Sequence, residues 1–323
     1  MSVREGAWYT GLTPMSQPPD PPAPTSDPVL RPFADLAVWE RRGERAPHKP
    51  LLVLYALGRW AAGRRDPVPY AEVEKPLSSL LREFGPPRRS YHPEFPFWHL
   101  QSDGVWVVHP PPGQQPRDLD DRPPNRELRA GATGEFAPAV KAALAANPSL
   151  VAAIARVVLD RHFPPTYHED ILAEVGLDLR SEPKAVSVTE AQRRRDPEFR
   201  ERVLTAYGRR CAVCGVGVLV GKDLAGLDAA HVRWWSHDGP DRTANGVCLC
   251  SLHHVLFDRG AFTVLADGLR VLVSDHVSGV GSQEVLHRHD GKSINSPKRN
   301  ELHPDPEYLG WHQQQVFRGW PID

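Results

Sequence analysis

Apolar residues recur at helical spacing through the first half of the chain. In "HKPLLVLYALGRWAAG", Leu51, Leu54, Tyr55 and Leu57 fall on one face, and Pro50 suits a first helical turn, where no amide partner is lost. "YAEVEKPLSSLLREFG" predicts a second helix that closes at Gly85, ahead of Pro86 and Pro87. The segment "PPRRSYHPEFPFWHL" reads as an aromatic, proline-rich loop, and "GVWVVHP" as a short strand. Beyond a polar stretch at about 110–130, "APAVKAALAANPSLVAAIARVVLDRHFP" predicts two helices parted at Asn147 and Pro148. "HEDILAEVGLDL" adds another.

The pattern then breaks. "RSEPKAVSVTEAQRRRD" has no apolar period and reads as a linker over 181–196. "DPEFRERVLTAYGRR" resumes a helix, with Asp196 as N-cap and Pro197 in the first turn. "LDAAHVRWW" is strand-like and "CLCSLHHVLFDRG" helical. The expected class is α+β in two domains: a mostly helical N-terminal one over 31–180 with a small strand component, and a second over 197–323. Residues 1–30, crowded with proline, predict a disordered or polyproline tail.

Composition narrows the classes. Hydrophobic residues make up 40% of the chain, enough for ordinary cores, and no run of eighteen apolar residues occurs. The N-terminus lacks the apolar region of a signal peptide, so the expectation is a cytoplasmic protein without a membrane partner. Net charge is −1, which argues mildly against nucleic-acid binding. Locally the balance differs: residues 193–210 hold seven arginines against three acidic residues. Such a run is ordinarily a solvated helix face; its place beside the cysteines sets this one apart.

All four cysteines lie between Cys211 and Cys250, a clustering that favours a metal over a disulfide framework. Cys211 and Cys214 are spaced two residues apart, as are Cys250 and His253, the paired spacing of a structural zinc site. Cys248 lies one residue from Cys250, a poor though not impossible geometry for a second chelating pair, and is assigned as a small buried hydrophobe. Neighbouring helical residues point about 100° apart, so His254 must look away from the zinc. Asp258 lies one turn on and could clamp a cation with His254. Alone, that pair would be a surface contact worth a few tenths of a kcal/mol. His231 sits on the strand-like run, with Asp228 three residues before it and expected on the same face, and Asn245 in the turn of "GPDRTANGV".

A strand histidine, a loop asparagine and a helix histidine followed by a carboxylate resemble the HNH, or ββα-metal, nucleases. Residues 209–264 are similar to the zinc-stabilised branch of that family, with His253 in place of the usual last cysteine. The resemblance implies His231 as general base, Asn245 as its orienting partner, and His254 with Asp258 as ligands of a catalytic divalent cation. Asp228 is a further candidate ligand, while the commoner family position, directly before the base, is Ala230 here. A His and carboxylate set suits Mg²⁺, Mn²⁺, Co²⁺ or Ni²⁺, leaving zinc a structural role. An imidazole can take a proton from water near neutral pH, and a hard cation can stabilise the departing alkoxide.

"RAPHKPLLVLYALGRW" and "EFGPPRRSYHPEFPFWHL" resemble the sulfur-binding domain found ahead of HNH modules in phosphorothioate-dependent, McrA-type (type IV) restriction endonucleases. "YLGWHQQQVFRG" is similar to their usual ending, so the likeness spans about 31–320. It implies phosphorothioated double-stranded DNA as partner. Phosphorothioate sulfur is larger and less hydrated than oxygen, which favours an apolar cup. The resemblance places that cup at His92, Pro93 and Pro96, flanked by His48 and Lys49, with Arg88, Arg89 and Tyr91 also on DNA. Without the resemblance the same stretch reads as a packed loop, in which Trp98 and Leu100 are core. Cutting both strands with one site per chain implies a homodimer. Two other readings stay open: an HNH restriction endonuclease reading another mark, such as methylated cytosine, or a non-catalytic zinc-dependent DNA-binding module.

Overall fold

The structure, a computed structural model, describes residues 28–38, 40–41, 44–45, 47–115, 122–179, 196 and 198–319. The proline-rich tail and the linker expected at 181–196 lie outside these residues, apart from 28–30 and 196.

After a single turn, α1 (Arg31–Ala34), the N-terminal half is organised around α2 (His48–Ala61). Leu51, Leu52, Leu54 and Leu57 of α2 are fully buried. Each such side chain contributes about 1.5–3 kcal/mol by leaving water. α3 (Tyr70–Phe84) turns Val73, Leu77, Leu80 and Leu81 inward at helical spacing and leaves Glu72 and Lys75 in solvent. A three-stranded antiparallel sheet joins β1 (Val68–Pro69), β2 (Trp106–His109) and β3 (Thr133–Phe136), with β3 in the centre.

The segment read as a loop at 86–100 differs. It contains a short helix, α4 (Glu94–His99), continued by a 3-10 turn to Asp103. Pro93 and Pro96 fall at its start, where a missing amide costs little, and buried Phe97, Trp98 and Leu100 hold the turn against the core. The polar stretch also carries a helix, α5 (Asn125–Arg129). α6 (Pro138–Ala146) and α7 (Leu150–His162) part at Asn147 as expected, and α8 (Pro165–Glu174) completes the half.

In the C-terminal half, α9 (Phe199–Ala206) begins later than its sequence suggests, with Glu198 at the cap position. Asp196 instead accepts from the Glu198 amide, closing the turn ahead of the helix, and pairs with Arg202 at 2.7 Å. A hairpin of β4 (Val218–Val220) and β5 (Asp223–Ala225) leads into β6 (Leu227–His231), which pairs antiparallel with β7 (Gly246–Cys250). α10 (Ser251–Asp258) follows at once, then the hairpin of β8 (Phe262–Leu265) and β9 (Arg270–Val273), and later α11 (Pro306–Gln315).

Each half has its own core, but they meet. Trp234, Trp311 and Val316 from the C-terminal half pack into the N-terminal core. Tyr167 of α8 stands edge-on to Trp234 at 5.6 Å, and Trp234 does the same to Trp311 at 5.7 Å. Among the described residues no single helix is long and apolar enough to cross a membrane.

Candidate active site and metal centre

β6, β7 and α10 form a ββα unit, and α10 separates its two histidines as helical geometry requires. His253 is buried and places Nδ1 3.1 Å from Cys250 Sγ and 3.7 Å from Cys211 Sγ. Cys214 completes a group whose four ligand atoms all lie within 4.8 Å of one another. His253 Nε2 donates to the Val285 carbonyl at 3.0 Å, which leaves Nδ1 as the ligating nitrogen. Burial pushes the Cys214 thiol up to about 12, so sulfurs packed this way need a cation to exist as thiolates. Three sulfurs and one imidazole nitrogen suit a tetrahedral zinc ion. Cys248 is fully buried in β7 and is not among the four.

His231, His254 and Asp258 face a different space. A cleft of about 510 Å³ opens between the halves, with these three side chains, Asp228, Asp241 and Thr166 on its wall. His231 ends β6 and stacks on Phe199 with ring centroids 4.2 Å apart. Its Nε2 lies 2.7 Å from Asp241 Oδ1, so the Nε2 proton goes to Asp241 and Nδ1 keeps a lone pair. Asp241 is itself held: Oδ2 accepts from the Asp196 amide at 2.7 Å, and its carbonyl accepts from Arg202.

Asn245 acts on the loop that follows His231 and not on its ring. It is fully buried, accepts from the Arg233 amide at 2.8 Å, and donates to the carbonyls of Arg233 and Pro240 at 3.0 Å. It therefore cross-braces the loop between β6 and β7. The direct hydrogen-bond partner of the His231 ring is Asp241.

The His254 ring lies between two carboxylates. Nε2 is 3.4 Å from Asp258 Oδ2, and Nδ1 is 3.8 Å from Asp228 Oδ2. Asp258 is 2% exposed, and burial raises its carboxyl above the ordinary range. A carboxylate so placed gains from a cationic neighbour. One imidazole nitrogen and one carboxylate oxygen at this spacing fit two adjacent ligands of a small divalent cation, leaving its other positions to water and phosphate.

Asp228 requires a correction. Strand side chains alternate with a period of two, so Asp228 and His231, three apart in β6, do not share a pleat face, yet both border the same cleft and Asp228 Oδ2 lies 3.8 Å from His254 Nδ1. Asp228 borders the cleft from the exposed side, bonded to Arg200 Nε at 3.1 Å.

In the N-terminal half, His48, Arg88, His92 and Glu94 gather: burial first, then the charges of Arg88 and His92, lower the His48 imidazole to about 4. His92 bridges Ser90 and Glu94 at 3.0 Å each. Arg89 is exposed, and Tyr91 lies 5.6 Å from the Arg82 guanidinium. Three expected contact residues are placed otherwise. Pro93 and Pro96 are buried in the first turn of α4, and Lys49 is half-buried, paired with Asp103 at 2.6 Å.

Two site residues escape the sequence reading. Asp241 stands four residues before Asn245 in a loop, and only the fold shows that it returns to His231. Thr166 is 92 positions from Asp258, to which it donates a 2.6 Å hydrogen bond, and no local pattern links them.

Residues 26–180 match the family model of the ScoMcrA-like DNA sulfur-binding domain, and residues 211–265 match the HNH endonuclease family. No curated protein sequence matches the chain. Among solved structures, a modification-dependent TagI restriction endonuclease is 27% identical, over 37% of each chain, with a TM-score of 0.28. The sulfur-binding and SRA domains of ScoMcrA complexed with phosphorothioated DNA are 22% identical, over 47% of each chain, with a TM-score of 0.40. The ScoMcrA sulfur-binding domain alone, also complexed with phosphorothioated DNA, is 22% identical over 46% of this chain and 94% of that one, with a TM-score of 0.39. The chain thus spans about two-fifths to one-half of the length of the first two.

Proposed function

We propose that this chain, which carries a ScoMcrA-like DNA sulfur-binding domain ahead of an HNH endonuclease domain, is a modification-dependent DNA endonuclease. In this reading the N-terminal domain (31–180) binds phosphorothioated double-stranded DNA, and the C-terminal domain (197–323) hydrolyses a phosphodiester nearby. The observation that carries the reading is the convergence of His231, His254 and Asp258 on one cleft open to both halves.

The chemistry follows from the placement. Asp241 fixes the His231 ring and its tautomer, so Nδ1 takes a proton from a water that attacks phosphorus. Asn245 keeps the loop closed while this happens. A divalent cation, held by His254 and Asp258, would supply positive charge against the phosphate oxygen and the departing alkoxide. Asp228 lies at the other nitrogen of the His254 ring, held by Arg200, and stays outside this set. Zinc at Cys211, Cys214, Cys250 and His253 pins the scaffold that holds both histidines.

Around the mark, His48, Arg88, Arg89, Tyr91 and His92 form the proposed contact set. Pro93 and Pro96, buried, contribute to the sulfur cup only by shaping the start of α4. Cutting both strands calls for two copies of the site, hence a homodimer working on cytoplasmic DNA.

Matched duplexes with one phosphorothioate, with methylated cytosine, or unmodified, digested in the presence of Mn²⁺ alongside His231→Ala, test the proposal. Cleavage of the sulfur-bearing duplex alone, lost in the variant, is expected. Equal cleavage of all three, or preference for the methylated one, would overturn the assigned mark. Cleavage by His231→Ala would overturn the assigned base.

A further inference from the structure

Asp258 belongs to the nuclease half, yet the hydrogen bonds at its two ends come largely from the other half. Thr166 Oγ1, at the start of α8, donates to Asp258 Oδ2 at 2.6 Å. The next residue, Tyr167, donates its phenol to the Asp258 main-chain carbonyl at 2.8 Å. From the nuclease half, Trp234 Nε1 donates to Oδ1 at 3.2 Å. Further bonds tie the same patch: Arg259 pairs with Asp170, and Arg318 donates to the carbonyls of Arg82 and Glu83.

A carboxylate on a two-bond side chain can rotate, and each of its oxygens has two lone-pair directions. With Trp234 on one oxygen and Thr166 on the other, rotation is stopped and one direction on Oδ2 is left toward His254 Nε2, 3.4 Å away. Just past α10, Gly260 lets the chain lie against Val316 of the same half. Its φ is +69°, and a Cβ there would lie 2.0 Å from the Val316 carbonyl oxygen.

We propose that Thr166 of the DNA-reading domain is a positioning residue of the nuclease site, setting the Asp258 carboxylate for the divalent cation. The inference rests on the reading of His254 and Asp258 as cation ligands. The reader therefore completes the cutting site rather than merely delivering it. Partners in the outer shell of a metal site typically change metal affinity or activity by about 10–100-fold.

The test uses the full-length, zinc-loaded protein without DNA, titrated with Mn²⁺ and followed by the electron paramagnetic resonance of free Mn²⁺. His254→Ala identifies the binding that belongs to this site. Thr166→Val is expected to weaken that binding about tenfold, and Thr166→Ser, which keeps the hydroxyl, to restore it. Tyr167→Phe removes the phenol's bonds to the Asp258 main chain and to Arg318 but leaves the Asp258 carboxylate untouched; it is expected to bind Mn²⁺ within about twofold of the parent protein, which separates positioning from a general loosening of the interface. Binding by Thr166→Val equal to the parent, or equal losses in Thr166→Val and Tyr167→Phe, would overturn the proposal. Because no DNA is present, a wrongly assigned DNA mark leaves these outcomes readable. A His254→Ala protein that binds like the parent would instead remove the cation site and, with it, the inference.

Discussion

His253 and His254 are neighbours in sequence and serve separate centres. The first places Nδ1 3.1 Å from Cys250 Sγ, and the second places Nε2 3.4 Å from Asp258 Oδ2. One helical turn thus fixes the distance between the Cys and His cluster and the cleft.

The scaffold ion should be indispensable to folding. Cys211→Ser is expected to abolish zinc retention and the cooperative unfolding of the C-terminal half, since metal binding in such sites contributes on the order of 10 kcal/mol to folding. Zinc content by elemental analysis and circular dichroism on heating measure both. A zinc-free variant with the parental melting curve contradicts the assignment.

Asp241 should control rate and not binding. Asp241→Asn keeps the size of the side chain but no longer holds a charge against the His231 ring that becomes cationic in the reaction. Single-turnover cleavage should fall by about 100-fold, while the dissociation constant for a phosphorothioated duplex stays within about twofold. An unchanged rate removes Asp241 from the site.

Lys49 should report stability. Its side chain is 12% exposed and that of its partner Asp103 4%, so Lys49→Met leaves a buried carboxylate with the Ala37 amide but no cation, at a cost of about 3 kcal/mol. Urea unfolding should show that loss. A large drop in DNA affinity with parental stability would return Lys49 to the DNA surface.

Acid should loosen the C-terminal half near pH 6. Burial lowers His312 from 6.5 to about 3, while Nε2 donates to the Phe257 carbonyl and Nδ1 accepts from Thr263. The unfolded chain takes up a proton that the folded one refuses, so stability is lost as pH falls from 6.5 toward 3. The loss from this group is about 1.4 kcal/mol per pH unit, or about 2 kcal/mol by pH 5. Denaturation at pH 7 and pH 5 measures it, and His312→Gln should flatten the slope. An equal slope in the variant refutes the attribution.

Much of this site was legible because its residues are close in sequence. The cysteine pairs, the two histidines and Asp258 fall at spacings that a knuckle and a helix turn into geometry. Asn245 was also legible as a loop residue, although its bonds run to Arg233 and Pro240 and not to the base. Asp241 and Thr166 were not, since each reaches the site through tertiary packing. In the N-terminal half the helices at 48–61 and 70–84 announce themselves by apolar period. α4 does not, because four prolines and two histidines over 86–100 imitate a loop until Phe97 and Trp98 are buried.

The aromatic stack of Tyr167, Trp234 and Trp311 bears on engineering. Fusing the HNH half to a foreign N-terminal domain would strip one ring from the stack and expose the other two to water. A working chimera would have to carry the α8 segment across the splice, making the useful exchange point upstream of Pro164 rather than at the seam between the halves.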